Sequence, residues 1–273
     1  AFEEIGGEVV QTTSFVLQNT HINGYKGTYC RLIEPNTQQG KEDIFLAGEN
    51  RYTAQQSNFS KIPGAPVAYW VNDRFIDNFR KGISIDRISD YTGSQHITAN
   101  NDLYLRLHWE VVPCDPKWKK YAKGGEYRKW YGNIDYVVRW DSIAKHFYMA
   151  NKTSNMLAEK YVDRQGIAYT DINTSGTGFR FFEGGAFDKS GPEICMDEKL
   201  YEVLSVFNTK VMLYYLDIVN PTIHTQVKDI KAFPIIFSEG EMATKISKEC
   251  VLLSKQDWDS FETSLDFKKH PLV

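Results

Sequence analysis

Several features are scarce in this 273-residue chain, and each scarcity removes a class of function. No apolar run approaches the roughly 20 residues that cross a bilayer, and no secretory leader pattern opens the chain, so a membrane partner is not expected. The four cysteines, Cys30, Cys114, Cys195 and Cys250, lie far apart without a Cys-x-x-Cys pair. That spacing signals neither a zinc site nor a disulfide framework, and points to reduced thiols, several of them buried. None of the nine prolines is followed by another, so the Asn-Pro-Pro-Tyr type loop that grips a flipped base in adenine methyltransferases is missing. No Gly-x-Gly-x-x-Gly or P-loop pattern supplies a cradle for a methyl donor or a phosphate. A Mg²⁺-dependent nuclease would want Pro-Asp and Glu-x-Lys. Neither occurs, and the triplets Asp115/Lys117, Asp229/Lys231 and Asp266/Lys268 are of a kind that arises by chance. The six histidines show no metal-ligand spacing. His224, beside Asn220-Pro221-Thr222, suits either a ligand contact or a turn. No catalytic residue, metal or cofactor is therefore expected within the chain.

What the chain does have is aromatic surface and one concentration of positive charge. Residues 117–139 carry seven Lys/Arg against Glu126 and Asp135, a local charge of +5 in a chain whose total is −3. Six aromatics, Trp118, Tyr121, Tyr127, Trp130, Tyr131 and Tyr136, are threaded through those cations. Gly124-Gly125 lets the backbone come close to whatever the cations meet. Interleaved cations, aromatics and glycines suit a nucleic-acid surface, because cations neutralise phosphates while planar side chains pack on sugars and bases. The same pattern also describes a solvated face of half-buried strand residues with wet polar ends.

Local patterns predict a mixed α/β chain. Residues 8–19 and 29–33 read as a strand pair around the Asn23-Gly24 turn, and a surface helix is expected within 38–58. Pro63-Gly64-Ala65-Pro66 marks a boundary. The expected domains are residues 1–66, residues 67–240 and a helical segment over 241–273. Residues 67–71 read as a strand, Asn72 or Asp73 as the cap of a helix bearing Phe75, Ile76 and Phe79, and 103–111 as helix turning into strand. Residues 136–140, 166–172 and 179–182 read as strands. Asp141 caps a helix with Ile143 and Phe147 on one face. Residues 200–219 form the clearest helix, with Leu200, Val203, Leu204, Phe207, Val211 and Tyr214 aligned, and Asn220-Pro221 stops it. Residues 233–237 give an edge strand, and 241–253 a helix facing inward through Ile246, Cys250 and Leu253.

These residues carry a resemblance. Phe2-Glu3-Glu4-Ile5-Gly6-Gly7-Glu8-Val9-Val10-Gln11-Thr12, Gly93-Ser94-Gln95-His96 with Asn100 and Asn101, Tyr121-Ala122-Lys123-Gly124-Gly125, Trp130-Tyr131-Gly132-Asn133, Asn220-Pro221-Thr222 and Ser254-Lys255-Gln256-Asp257-Trp258-Asp259-Ser260-Phe261-Glu262-Thr263 are similar to the C-terminal part of the PglX family. Those proteins are adenine-specific DNA methyltransferases of bacterial BREX phage-exclusion systems. The resemblance covers essentially the whole chain. Phe207-Asn208-Thr209-Lys210-Val211 is similar to the Leu-Asn-Ser-Lys-Val helix that recurs in target-recognition domains, with Phe207 and Thr209 as departures. The resemblance implies that this is a fragment, also suggested by Ala1 in place of a start methionine. It would begin at the end of a methyltransferase sheet and continue as a mixed α/β target-recognition domain. The parent enzyme would use S-adenosylmethionine to methylate adenine at N6, and the fragment alone would be inactive. The implied setting is the bacterial cytoplasm.

Duplex DNA is the implied partner, with other phage-defence subunits and phage-encoded DNA mimics as further candidates. Phosphate contacts are expected from Lys119, Lys120, Lys123, Arg128 and Lys129, with the backbone of Gly124 and Gly125 approaching the DNA strand. Gln95, Asn100, Asn101, Asn133, Asn151, Lys152 and Arg180 are the base-edge candidates, although loop Asn and Gln commonly build turns instead. Gly93, Gly132 and Pro221 are read as shaping the backbone. The competing expectation is a protein-interaction module whose aromatic face docks another subunit, with the basic stretch as its rim.

Overall fold

A computed structural model describes residues 13–90, 95–172, 174 and 176–273. The chain is mixed α/β, as its local patterns predict, and divides into two compact units, Ala1–Arg80 and Lys81–Val273.

In the first unit, strand β1 (Gly27–Cys30) pairs antiparallel with β2 (Arg51–Ala54), and helix α1 (Gln38–Ala47) lies between them in sequence. Among the described residues the partner of β1 is β2. Residues 13–19 form no strand, and residues 8–12 lie outside the described ones. Helix α1 starts where the Thr37 hydroxyl accepts from Gly40 N and stops at Gly48, whose left-handed backbone suits glycine. Residues 67–71 are not a strand. Instead Tyr69 stacks on Tyr29 with ring centroids 4.7 Å apart, and Arg31 lies over Trp70. Helix α2 (Asp73–Lys81) begins as expected, with the Asn72 carboxamide accepting from Phe75 N at 2.8 Å.

The described residues of the second unit form three sheets. Strand β3 (Ile83–Ser84) pairs with β11 (Pro234–Ile235). Strands β4 (Leu105–Leu107), β5 (Trp118–Ala122), β6 (Tyr136–Arg139) and β9 (Gly185–Phe187) form a four-stranded sheet in the order β4-β6-β5-β9. Strands β7 (Gln165–Ala168), β8 (Arg180–Glu183) and β10 (Glu193–Cys195) form a third in the order β10-β7-β8. The β5–β9 pair is parallel, while β5–β6 is antiparallel and sets Tyr121 opposite Tyr136. Helix α3 (Asn101–Tyr104) runs directly into β4, the expected helix-to-strand change. The core includes a run of aromatic contacts: Phe179 packs on Phe207, Phe207 on Phe233, and Tyr215 edge-on to Phe233.

Helix α4 (Ser142–Ala150) is capped by Asp141, which accepts from Ala144 N at 2.8 Å. Its buried face is Ala144 and Tyr148, one residue on from the expected Ile143/Phe147 pair, and Ile143 is exposed. Residues 200–219 are two helices, α5 (Leu200–Phe207) and α6 (Lys210–Val219). The break resets the phase, so Val211 and Tyr214 face outward while Met212, Tyr215, Leu216 and Ile218 are buried. A short helix, α7 (Val227–Lys231), precedes β11, and α8 (Met242–Trp258) closes the fold. On α8 the inward residues are Ser247 and Val251. Ile246 and Leu253 are exposed, contrary to the sequence expectation. Of the four cysteines only Cys195 is buried, and all four are free thiols. No described helix is long and apolar enough to cross a membrane.

Candidate nucleic-acid interface

The basic stretch folds as β5, a loop over residues 123–135, and β6, and nearly every cation in it has a partner in its own chain. Lys117 pairs with Asp115 at 2.8 Å, so that Asp-x-Lys triplet is closed on itself. Lys119 pairs with Asp163, Lys123 with Asp188 at 3.4 Å, and Arg139 with Asp141 at 2.8 Å. Arg128 reaches Asp257 at 3.2 Å and lies over the Trp258 ring, both at the end of α8. Lys129 donates to the carbonyl of Asn208 at 2.8 Å, where a cation complements the carbonyl end of α5. Lys120 forms no ion pair among the described residues, though it helps hold the Asp266 carboxyl below its usual range, after the larger hydrogen-bond effect of Lys255. Five acids outside the stretch, Asp115 and Asp141 at its edges and Asp163, Asp188 and Asp257 distant in sequence, thus offset the local +5 charge.

The two glycines approach the protein's own backbone. Gly124 has φ +82°, and a Cβ there would sit 2.7 Å from the Ser190 carbonyl oxygen. A Cβ on Gly125, at φ +140°, would meet the Asn133 carboxamide at 2.8 Å. Loop 123–125 is therefore moulded onto loop 188–191, and only glycine fits at these points. Asp188 is the hub. One carboxylate oxygen accepts from the Tyr121 hydroxyl at 2.9 Å and from Lys123, the other from Ser190 N at 2.7 Å and from the Ser190 hydroxyl.

Among the base-edge candidates, most polar groups are engaged internally. Asn100 caps α3 by accepting from Leu103 N at 3.1 Å. Asn133 donates to the Glu126 carbonyl at 2.9 Å, and Asn151 accepts from Thr153 N and its hydroxyl. Arg180 lies in the core, donating to the Thr170 hydroxyl at 3.3 Å. Burial, and then the neighbouring Arg128, bring its pKa down to about 10. Gln95 is half-buried, its carbonyl accepting from the Asn155 carboxamide, and Lys152 is exposed. Asn101 is different. It is exposed and lines two adjoining concavities, of about 360 Å³ and 420 Å³, both of which also include Lys123. The first adds Thr98, Asp188 and the exposed Lys189, and the second adds Arg106, Glu110 and Tyr136. Together they form a groove between α3 and loops 123–125 and 188–191. No group of His, Cys, Asp and Glu among the described residues is arranged to hold a metal ion.

No protein-family model matches the chain. Individual proteins do. All of it aligns, at 30% identity over 291 residues, with the adenine-specific methyltransferase BrxX of Escherichia coli O9:H4 (strain HS). The chain is related to adenine-specific methyltransferases. A second relative, the adenine-specific methyltransferase PglX of Lacticaseibacillus casei (strain Zhang), is also 30% identical, over 303 residues and again the whole chain. The alignments cover 23% and 25% of those proteins, so the chain spans about a quarter of the length of the curated relatives it matches.

Neither concavity is bounded by a glycine-rich strand-to-helix turn of the kind that holds a nucleotide-like cofactor, and no transfer step is assigned to the described residues. The groove residues Thr98, Arg106, Asp188 and Lys189 carry no signal of their own in the sequence. The run Asp188-Lys189-Ser190-Gly191-Pro192 marks a turn, but only the β5–β9 pairing brings that turn beside Lys123.

Proposed function

We propose that the chain is the double-stranded DNA recognition module of an N6-adenine methyltransferase in a BREX phage-defence system. The observation that carries this reading is the groove, in which an exposed carboxamide, Asn101, and a cation, Lys123, line the same two concavities. Cations set register on phosphates while amides read base edges, and the groove offers both. Similarity along the whole chain to adenine-specific methyltransferases supports it. Phosphate contacts fall to Lys120 and Lys189, which form no ion pair among the described residues, and to Lys123, whose 3.4 Å contact with Asp188 is the longest of the set, because Lys119, Arg128 and Lys129 are held by closer partners in the chain. In this reading S-adenosylmethionine and the transfer chemistry belong to other parts of the parent enzyme, which acts in the bacterial cytoplasm. DNA-mimicking phage proteins would compete for the same groove.

Fluorescence anisotropy against duplex DNA at two salt concentrations tests the reading. Wild-type chain should bind more weakly as salt rises, and Lys123→Ala with Lys189→Ala should reduce affinity about tenfold or more without lowering thermal stability. Absence of binding by a folded wild-type chain at low salt would reject DNA recognition and turn attention to a protein partner.

A further inference from the structure

We propose that Asn101 reads the edge of an adenine and that Thr98, buried behind it, fixes which end of its amide faces which way. This rests on the DNA-recognition reading and deepens it by naming the base and the positioning residue. The Thr98 hydroxyl donates to Asn101 Oδ1 at 2.6 Å, and Thr98 is almost fully buried. No other acceptor among the described residues takes that hydroxyl proton. Rotating the carboxamide by half a turn would set Nδ2 against the hydroxyl and leave the buried proton without an acceptor, a costly arrangement. The amide is thereby held in one sense. Oδ1 keeps a second lone pair, and both Nδ2 hydrogens are available, giving a donor beside an acceptor. In the major groove adenine offers the complement, an acceptor at N7 and a donor at N6. Guanine offers two acceptors, cytosine a donor alone, and thymine an acceptor beside a methyl group.

The support beneath Asn101 is rigid, which a base reader needs. Ile97 exchanges both backbone hydrogen bonds with Asn155, at 2.8 and 2.9 Å, immediately before Thr98. Ala99 then turns the chain in the left-handed region at φ +58°, and the Asn100 cap fixes the start of α3. Of the four asparagines in the candidate set, Asn101 alone lines the groove, and its hydrogen bond is to a buried side chain. The other three engage backbone groups.

The test is selection of bound duplexes from a randomised pool by the whole chain, with Thr98→Val, Thr98→Ser, Asn101→Ala and Asn101→Asp alongside. Wild type should enrich adenine at one position, and Asn101→Ala should reduce that enrichment about tenfold while leaving the other positions intact. Thr98→Val should weaken the preference at the same position without changing affinity for random duplex, and Thr98→Ser, which restores the hydroxyl, should recover it. Asn101→Asp, an acceptor only, should move the preference toward cytosine. The inference is overturned if Thr98→Val and Asn101→Ala retain every wild-type preference while binding stays salt-dependent, an outcome that leaves DNA recognition standing. Absence of binding by folded wild type would overturn both. Asn101 is exposed and Asn101→Asp keeps the acceptor that the Thr98 hydroxyl needs, so that variant remains folded and decisive even if Thr98→Val does not.

Discussion

His96 ties stability to pH through a single buried imidazole. It is fully enclosed by Tyr121, Trp140 and Tyr148, and neither ring nitrogen has a hydrogen bond of good geometry among the described residues. Burial outweighs the opposing pull of Asp188 and the Asn155 backbone and holds its pKa at about 4 instead of 6.5. Between those values the unfolded chain takes up a proton that the folded chain refuses. Stability is therefore full above pH 6.5 and falls as pH drops toward 4, by about 3 kcal/mol over the window. Urea unfolding at pH 7 and pH 4.5 should show that loss in the wild type and much less of it in His96→Phe. Glu193 has the opposite sense. Its carboxyl is buried without a hydrogen-bond partner among the described residues, and burial raises its pKa well above 4.5, against the smaller pull of Arg164. The folded chain keeps a proton there that the unfolded chain releases, so stability falls as pH rises from about 4.5 toward the folded value. Glu193→Gln should flatten that dependence and raise Tm by a few degrees, about 2–5 °C, at pH 8. Both residues were legible in the sequence only as names. What makes them consequential is the company that distant strands bring.

At the scale of elements, the join between α5 and α6 shows where sequence reading stops. Asn208 donates through Nδ2 to the Phe179 carbonyl at 2.9 Å and accepts from Phe179 N at 3.2 Å, so one side chain ties the entry to β8 to the end of α5. A continuous apolar stripe over 200–219 gives no hint of this. A helix prefers to continue, but the buried Phe179 N–H needs an acceptor, and Asn208 supplies it where the helix ends, adding a second donor to a carbonyl that Trp130 N already reaches. Asn208→Ala should cost about 1–3 kcal/mol, read from the urea midpoint, because it leaves the buried Phe179 N–H without an acceptor while the Phe179 carbonyl keeps its bond from Trp130 N. The caps at Asn72 and Asp141 and the antiparallel β7–β8 pair were legible because their signals are local. The β1–β2 pairing and the inward faces of α4 and α8 were not, since a neighbouring element decides them. In the groove, Lys123 and Asn101 were legible by type. The in-chain engagement of Asn100, Asn133, Asn151 and Arg180 became visible only in three dimensions.

For the whole molecule, charge is organised differently from its order along the chain. If Lys120, Lys123 and Lys189 meet three phosphates, log K against log salt should have a slope of about −3, where seven unpaired cations would give about −6. Titration over several salt concentrations distinguishes the two.

The internal ion pairs of the basic stretch also bear on time. A patch whose positive ends are already matched casts little field beyond its own surface, and the chain as a whole carries −3. Diffusing duplex is then not drawn in from afar, and encounters should proceed at the unsteered rate, about 10⁵–10⁶ M⁻¹s⁻¹. Stopped-flow mixing should find association almost indifferent to ionic strength, with added salt acting mainly by shortening the life of the bound state. Finding a site would then depend on how long the chain stays once arrived, rather than on how fast it comes.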